Sequence, residues 1–515
     1  MANKELFSTC SIKPTNTIND AGGVAYAMEA EEALAQLACT GFFGSTYYAS
    51  AETQLSRVIE FANVVSDEYL AKLAVYSRTQ GYMKDMPAVL CAILSTRDRW
   101  LFKKVFVRVI DNAKMLRTFV QVMRSGAVGR KSLGSLPKKL VQQWLNNQTD
   151  ENLFKNSVGN SPSLADIIRM VHPRPATKSR ENLYAYLLGR EYKFPLLPAL
   201  VQEFENFKAS LKSFDSAQNT PDVPMQMLTS LPLTVHHWSN IALTTSWTTQ
   251  RMNIRTFQRH GVFEYPLVVD DLAKQLADPD RVKRSKVFPY QLLMAYKMSG
   301  DTPSKIQNAL QDAMEVATDN VESFGCSVAV CPDVSGSMSW SVGNAGYGSA
   351  VKCIDVAALI ASVILRKNED SLVIPFERKV VNVRLNPRDS VMTNSSKLAA
   401  VGGGGTNISA PLKLLNEQNT KVDLVIVVSD NESWADQRRS SGTAMFEQWR
   451  ILKKRNPRAK LVCIDIQPNV AKQVPNDPDI LHVGGFSDNV FDVITSFVKA
   501  GGKGWVDVIK NVTLG

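Results

Sequence analysis

The stretch that most constrains this chain is the apolar run Val328-Ala329-Val330-Cys331 and the polar loop that follows it, Asp333-Val334-Ser335-Gly336-Ser337. A short apolar run of this kind reads as a buried strand. The loop puts a carboxylate and two hydroxyls at alternate positions, on one side of the backbone, and Gly336 lets the chain turn tightly enough for them to converge. Carboxylate plus hydroxyl is hard-oxygen chemistry, suited to Mg²⁺ or Mn²⁺ rather than zinc. Two later stretches offer the rest of a coordination shell: Gly402-Gly403-Gly404-Gly405-Thr406-Asn407 and Val427-Val428-Ser429-Asp430-Asn431-Glu432.

From about Gly325 onward, strands and helices alternate. The pattern predicts strands at Ser327–Cys331, Leu372–Phe376, Val380–Leu385, Leu424–Val428 and Leu461–Ile466, and helices at Val351–Arg366, Ser409–Asn416, Thr443–Lys454 and Asn489–Ala500. That is an α/β doubly wound sheet, in which ligands sit outside the carboxyl ends of the strands. All three polar stretches fall there.

Several enzyme classes are excluded. No GxxxxGK[ST] loop is present, and Gly402–Gly405 is not a GxGxxG turn after a first strand. A phosphoryl-transfer Asp would want a carboxylate at position 335, where Ser335 stands. Ser335 and Ser337 have no nearby basic His, and the G-x-S-x-G elbow is absent. A shell of Asp, Ser, Ser, Thr and Asp carries few charges and leaves the cation able to take an outside carboxylate. The expectation is a binding device, not an enzyme.

A chain of 515 residues is too long for one core. From about Ala21 to Asn320 the periodicity is helical. Ala30, Leu34, Leu37 and Ala38 share one face; Tyr69, Leu70, Leu73, Ala74 and Tyr76 share another, ended at Thr79-Gln80-Gly81. A helix opens near Met86, with Pro87 in its first turn. A pair follows at Leu101–Val109 and Met115–Met123, separated by Asp111-Asn112 and closed by Ser125-Gly126. Successive helix pairs suggest an α-solenoid of HEAT or armadillo type, or else an irregular helical bundle.

Lys+Arg number 59 against 49 Asp+Glu, a net charge of +10, and the excess is clustered. Arg97, Arg99, Lys103, Lys104, Arg108, Lys114, Arg117, Arg124, Arg130, Lys131, Lys138 and Lys139 face only Asp98 and Asp111. Further groups are Arg169, His172, Arg174, Lys178 and Arg180; Arg251, Arg255, Arg259 and His260; and Arg281, Lys283, Arg284 and Lys286. One cluster alone is a solvated helix face. Four in one helical region suit a polyanion, whose phosphates release counterions along a cationic path. Trp238, Trp247 and Phe257 near the third group would either stack on unpaired bases or pack in the core. His236-His237 has no Cys, Glu or further His at zinc-ligand spacing.

The seven cysteines form no CxxC pair, a reduced, intracellular pattern. The N-terminus has no apolar signal core. The longest apolar stretch, Val356–Leu365, falls short of the ~20 residues a membrane span needs. A soluble cytoplasmic protein without membrane contact is expected.

Asp333-Val334-Ser335-Gly336-Ser337, with Thr406 and Asp430, resembles the metal-ion-dependent adhesion site of von Willebrand factor A domains. By that resemblance Asp333, Ser335, Ser337, Thr406 and Asp430 hold Mg²⁺, or another divalent cation, directly or through water. Gly41-Phe42-Phe43-Gly44-Ser45-Thr46-Tyr47-Tyr48 and Ile167-Ile168-Arg169-Met170-Val171-His172-Pro173-Arg174-Pro175 resemble segments of the Ro (TROVE) family. So do Leu231-Pro232-Leu233-Thr234, Phe288-Pro289-Tyr290-Gln291-Leu292-Leu293, Ser429–Ser433 and Gly485-Phe486-Ser487. The resemblance implies HEAT-like helical repeats over 1–320 forming a monomeric ring, closed by a von Willebrand factor A domain over 325–515. It implies binding of small Y RNAs on a basic outer surface, and of misfolded or damaged noncoding RNAs whose single-stranded 3′ ends enter a cavity. It also implies a role in RNA quality control or processing, with an exoribonuclease such as polynucleotide phosphorylase tethered through Y RNA and no catalysis by the chain itself. His172 matches an RNA-contacting His of the family motif, and Lys155 matches a contacting Lys by spacing. Arg130, Lys131, Lys138 and Lys139 lie where relatives have G-R and then basic residues. With Arg169, Arg174, Arg251 and Arg255 they make up the expected RNA-binding set. Ser339–Gly348, just after the metal loop, looks longer than in the animal protein. The competing reading is a metal-dependent protein-interaction module without RNA binding.

Overall fold

A computed structural model describes residues 14–41, 50–159, 161–212, 220–287, 289–319, 321–342, 351–434, 442–467, 469–485, 489–500 and 504–515. The motif residues Phe42–Tyr48, Phe288, Gly343–Gly348 and Phe486-Ser487 lie outside them. The chain forms two compact units, one of Met1–Met86 with Thr318–Thr513 and one of Pro87–Ala317 with Leu514–Gly515.

The first unit holds the expected α/β fold. Strands β1 (Thr17–Ile18) and β2 (Val24–Ala27) open the chain. They are followed by β3 (Val328–Pro332), β4 (Leu372–Val373), β5 (Leu424–Ser429), β6 (Lys460–Asp465), β7 (Ala471–Lys472) and β8 (Ile480–Gly484). The main sheet runs in the order β4-β3-β5-β6-β8 with every pair parallel. β3, β5 and β8 are buried along their whole length, which is why β3 and β5 read as continuous apolar runs rather than alternating ones. One sheet face packs Ala329, Cys331, Val425, Val427, Leu461 and Cys463 into a core with Trp449 and Leu452 from the helix Ala444–Arg455. The buried helix Cys353–Lys367 packs on β3 and β5.

The chain leaves β3, makes the edge strand β4, and returns to β5 on the other side of β3. The carboxyl ends of β3 and β5 therefore flank the point where strand order reverses, the place such a sheet reserves for a ligand.

Two expectations change. Val380–Leu385 forms no strand. It alternates in exposure as a strand does, yet its backbone has only an isolated bridge, Phe376 to Val380, and a bond from Val381 N to Pro375 O at 2.8 Å. Its period-2 pattern records an extended segment packed on one side, without a ladder partner. The expected helical domain over 1–320 is also divided, because its first 86 residues belong to the unit that contains the A domain. β2 pairs antiparallel with β1 on one side and with β7 on the other. The helix Ala30–Thr40 packs on β8 and so covers that edge of the main sheet. A Cβ at Gly484 would stand 2.0 Å from Gln36 Oε1, so a side chain here would displace the Gln36 amide.

The second unit is helical throughout its described residues. Side-chain caps set its boundaries. Asp98 Oδ1 accepts from Trp100 N and Leu101 N at 2.8 and 2.9 Å, and Asn112 Oδ1 accepts from Met115 N at 3.0 Å. Gly126 closes Ala113–Ser125 in the left-handed region at φ 89°. In the core Phe102 stacks on Phe119, and Phe106 stands edge-on to both. Arg99–Val109 packs on Ser135–Asn147, which in turn packs on Leu164–Val171.

Candidate metal centre and cationic surface

The five expected ligands, Asp333, Ser335, Ser337, Thr406 and Asp430, are all buried, and hydrogen bonds run from Asp333 through Ser335 and Ser337 to Asp430. β-sheet register does the first part of the work. Asp333 N donates to Val428 O at 2.9 Å, continuing the β3–β5 ladder, so Asp333 and Asp430 emerge from adjacent parallel strands. The glycine loop is then tied to the loop after β3. Gly336 N donates to Gly404 O at 2.8 Å and Gly403 N to Val334 O at 2.9 Å. A Cβ on Gly402, at φ +92°, would lie 2.1 Å from the Val334 carbonyl oxygen. Only glycine lets the two loops meet, and Thr406 follows them directly in the chain. The Thr406 carbonyl accepts from Trp434 N at 3.2 Å and Ser433 Oγ at 3.3 Å, fixing it to the loop after β5.

Side-chain bonds orient the oxygens. Ser335 N donates to Asp333 Oδ1 at 2.8 Å and Ser429 Oγ to Asp333 Oδ2 at 2.6 Å. The Ser335 and Ser337 hydroxyls lie 3.3 Å apart, and the Ser337 hydroxyl bonds the Asp430 carboxylate. Burial, and then the charge of Asp430, push the Asp333 carboxyl up to about 7. Burial likewise raises Asp430. Two buried acids that each resist ionisation beside the other are a site short of positive charge. Among the described residues no three His, Cys, Asp or Glu side chains gather as a metal cluster, so hydroxyls would have to complete any shell. Hard oxygens with two carboxylates fit a divalent cation such as Mg²⁺. Cys353 lies close enough to feel both carboxylates, but burial pushes its thiol up to about 12 and it stays protonated.

Three side chains have supporting roles that the sequence reading did not assign. Ser429 holds Asp333; a hydroxyl immediately before Asp430 was the available signal. Glu377 Oε2 accepts from Gly404 N at 2.7 Å and holds the glycine loop; nothing near it in sequence marks that role. Glu432, raised to about 8 by burial and then by the Asp430 and Asp20 charges, takes a bond at 3.1 Å from Ala21 N of the β1–β2 turn. Asn19 Nδ2 donates to Ser433 O at 2.9 Å, and Arg57 clamps Asp20 through two bonds of 2.7 Å. The N-terminal hairpin thus braces the loop that carries Asp430.

The expected RNA-binding residues lie in the helical unit and differ in availability. Lys131 and Lys139 are exposed, and Arg130 and Lys138 half-buried, with no ion pair formed by any of the four among the described residues. His172 is exposed at the C-terminal end of Leu164–Val171, in the left-handed region at φ 51°. Arg174 is also exposed. Arg169 keeps half its side chain in solvent while pairing with Asp166 at 3.1 Å. Lys155 pairs with Asp222 at 2.6 Å and Arg255 with Asp301 at 3.4 Å. Arg251 is a correction. It is buried, donates to Gln291 O at 2.8 Å, and is lowered to about 10 by desolvation, so it serves the helix packing and offers no surface to a phosphate. Arg180 from the second cluster is buried as well, bonded to Asp150 and to the carbonyls of Leu145 and Gln148. Trp238, Trp247 and Phe257 are core residues.

Residues 327–498 match the family model of the Ro60 vWA domain. RNA-binding protein RO60 of Deinococcus radiodurans is 24% identical over 513 residues, spanning 93% of this chain and 95% of that protein. The chain is a relative of the Ro proteins. RNA-binding protein RO60 of Caenorhabditis elegans is 24% identical over 247 residues, 45% of this chain and 36% of that protein. The crystal structure of the Deinococcus radiodurans RO (RSR) protein superposes on this Ro relative with a TM-score of 0.65 at 21% identity, covering 92% of this chain and 100% of that one. The shared fold is a helical region and a parallel-sheet A domain. Among the described residues no helix is long and apolar enough to cross a membrane.

Proposed function

We propose that this Ro relative is an RNA-binding protein, not an enzyme. It takes small noncoding RNAs of the Y type, and misfolded or damaged RNAs with single-stranded 3′ ends, into a ribonucleoprotein that serves RNA quality control or processing beside an exoribonuclease. The observation that carries the reading is the row of cations Arg130, Lys131, Lys138 and Lys139, which lie on the helical unit and make no ion pair among the described residues. Such cations displace the counterions condensed on a phosphate backbone, and the release of those ions into solution favours binding. The two curated relatives are named for RNA binding, which supports the same reading.

The metal centre has a separate, binding role in this proposal. Mg²⁺ held by Asp333, Ser335, Ser337, Thr406 and Asp430 would supply an electrophilic position for an outside carboxylate. The chain's own residues orient the oxygens and keep the two acids together.

The test is RNA affinity against salt. Wild-type affinity falls steeply with log[salt]. Replacing Arg130, Lys131, Lys138 and Lys139 by Ala lowers the slope by up to about 3, a little under one unit for each phosphate left without its cation. A wild-type affinity flat across salt would reject the reading. The metal-dependent interaction module is favoured by the exposed Trp340 and Trp434, the first following the metal loop and the second the loop of Asp430. It would gain the stronger claim if a chelator abolished partner binding while RNA never copurified.

A further inference from the structure

Between the helices Lys178–Leu187 and Ala199–Lys212 the chain runs exposed from Gly189 to Leu196. Large apolar side chains are displayed on it: Tyr192 is 39% exposed and Phe194 38%. The segment is held in place. Arg190 N donates to Ala185 O at 2.8 Å, Lys193 N to Asn182 Oδ1 at 2.8 Å, and Leu197 N to Phe194 O at 3.0 Å. The Tyr192 ring stands edge-on to Tyr186 at 5.4 Å, and Tyr186 is fixed in turn by its hydroxyl bond to Glu205 at 2.6 Å. The backbone at Lys193 is extended, φ −100° and ψ 112°, which spaces the flanking Cα atoms by about 6.6 Å. An aromatic pair kept at the surface by this many bonds is not failed core packing.

Its surroundings are cationic. Arg190 and Lys193 alternate with the two rings and form no ion pair among the described residues. Arg169 reaches the same segment, donating to Leu188 O at 3.3 Å, and so brings the His172 end of its helix alongside. Of the nearby carboxylates, Asp166 is bonded by Ser163 and Arg169, and Glu205 by Tyr186 and Lys208. Only Glu191 stands exposed within the run. Protein interfaces deplete Lys at their centre. A cationic track interleaved with aromatic faces is instead the composition of single-strand nucleic-acid sites.

We propose that Tyr192 and Phe194 form a stacking platform for unpaired RNA bases, with Arg190, Lys193 and Arg169 taking the adjoining phosphates. This rests on the RNA reading above and assigns named residues to contacts with its unpaired bases, since a duplex hides its base faces. The occupant is single-stranded RNA, recognised by its π faces and therefore without strong sequence preference.

The experiment compares two labelled oligonucleotides of about ten nucleotides, within the range one single-strand module covers: oligoadenylate, and an abasic strand with the same number of phosphates. The full-length wild type should bind oligoadenylate at least about tenfold tighter than the abasic strand. The double variant Tyr192→Ala, Phe194→Ala should lose roughly that factor on oligoadenylate and nothing on the abasic strand. Tyr192→Phe, which keeps the ring, should retain it. Both changes are at exposed positions, and an unchanged melting temperature checks the fold. Equal losses on the two strands would mean a general electrostatic or folding effect, and no loss on either would leave the rings to a protein partner. Either result overturns the platform. Failure of the wild type to bind either strand would remove the RNA reading itself and the platform with it, whereas wild-type binding without discrimination removes only the platform.

Discussion

Asp333→Asn should make the metal-free protein more stable while abolishing its response to Mg²⁺. The Asp333 carboxyl is buried and held at about 7 against an ordinary 3.8. Each pKa unit corresponds to about 1.36 kcal/mol. Ionising this group in the fold at pH 8 therefore costs at most about 4 kcal/mol relative to a permanently neutral side chain. Asparagine has nearly the same shape and keeps an oxygen for Ser335 N. Its amide nitrogen must face Ser429 Oγ, which now has to accept instead of donate, and that mismatch takes back about 1–2 kcal/mol. The net gain is about 2 kcal/mol. Thermal melts in EDTA should show the variant above the wild type by a few degrees. With Mg²⁺ at about one hundred times its Kd, the wild type gains about 2.7 kcal/mol and the variant nothing. A variant that melts below the wild type in EDTA, or one that still responds to Mg²⁺, would refute the claim that the paired acids are a charge deficit waiting for a cation.

The same acids set a pH dependence. Their folded pKa values are raised, so the native state binds more protons than the unfolded chain between about pH 4 and 7, and metal-free stability falls as pH rises through that window. Mg²⁺ affinity should rise over the same window, because the cation needs both carboxylates ionised; titration calorimetry at pH 5 and pH 7.5 giving equal affinities would contradict this. Gly402→Ala drives a Cβ against the Val334 carbonyl at a positive φ, with a cost of about 2–5 kcal/mol. It should also uncouple Thr406 from the loop after β3, so a melt indifferent to Mg²⁺ is the expected reading. Glu32→Gln leaves the buried Lys472 ammonium without its carboxylate and should cost about 3 kcal/mol or more in urea unfolding; the paired change Glu32→Leu with Lys472→Met should recover most of the loss.

The A domain was legible because its chemistry and its topology repeat one message. Asp333 and Asp430 each follow a strand that the apolar runs predict, and parallel strands buried on both faces leave little ambiguity. Where the message failed, tertiary partners were absent from the local pattern. β1 and β7 are two residues each, too short to show a period, and β7 gains its pairing only from β2, hundreds of residues away. β8 carries His482, whose ring is buried and kept neutral by desolvation, so a polar letter interrupts a core strand. Val380–Leu385 shows the opposite error, with a strand's alternation and no strand to pair with. Among the basic residues, charge could be counted but exposure could not. Arg251 and Arg180 sit at helical spacing within clusters and yet turn inward to cap carbonyls. Tyr192 and Phe194 look in sequence like any core aromatics.

The pairing of β2 with β7 also orders events in time. Synthesis runs from the N-terminus, and domains fold as their residues arrive. The hairpin Thr17–Ala27 and the helix Ala30–Thr40 emerge first, but their partners β7 and β8 are made more than four hundred residues later. Glu32 waits as long for Lys472. The nascent N-terminus thus carries an unmatched strand edge and a helix without its sheet while the whole helical unit is being made. A fragment of residues 325–515 produced alone would start without either partner. Its β7 edge would be open and its Lys472 would lack Glu32, and supplying residues 14–86 in trans is the natural way to restore both.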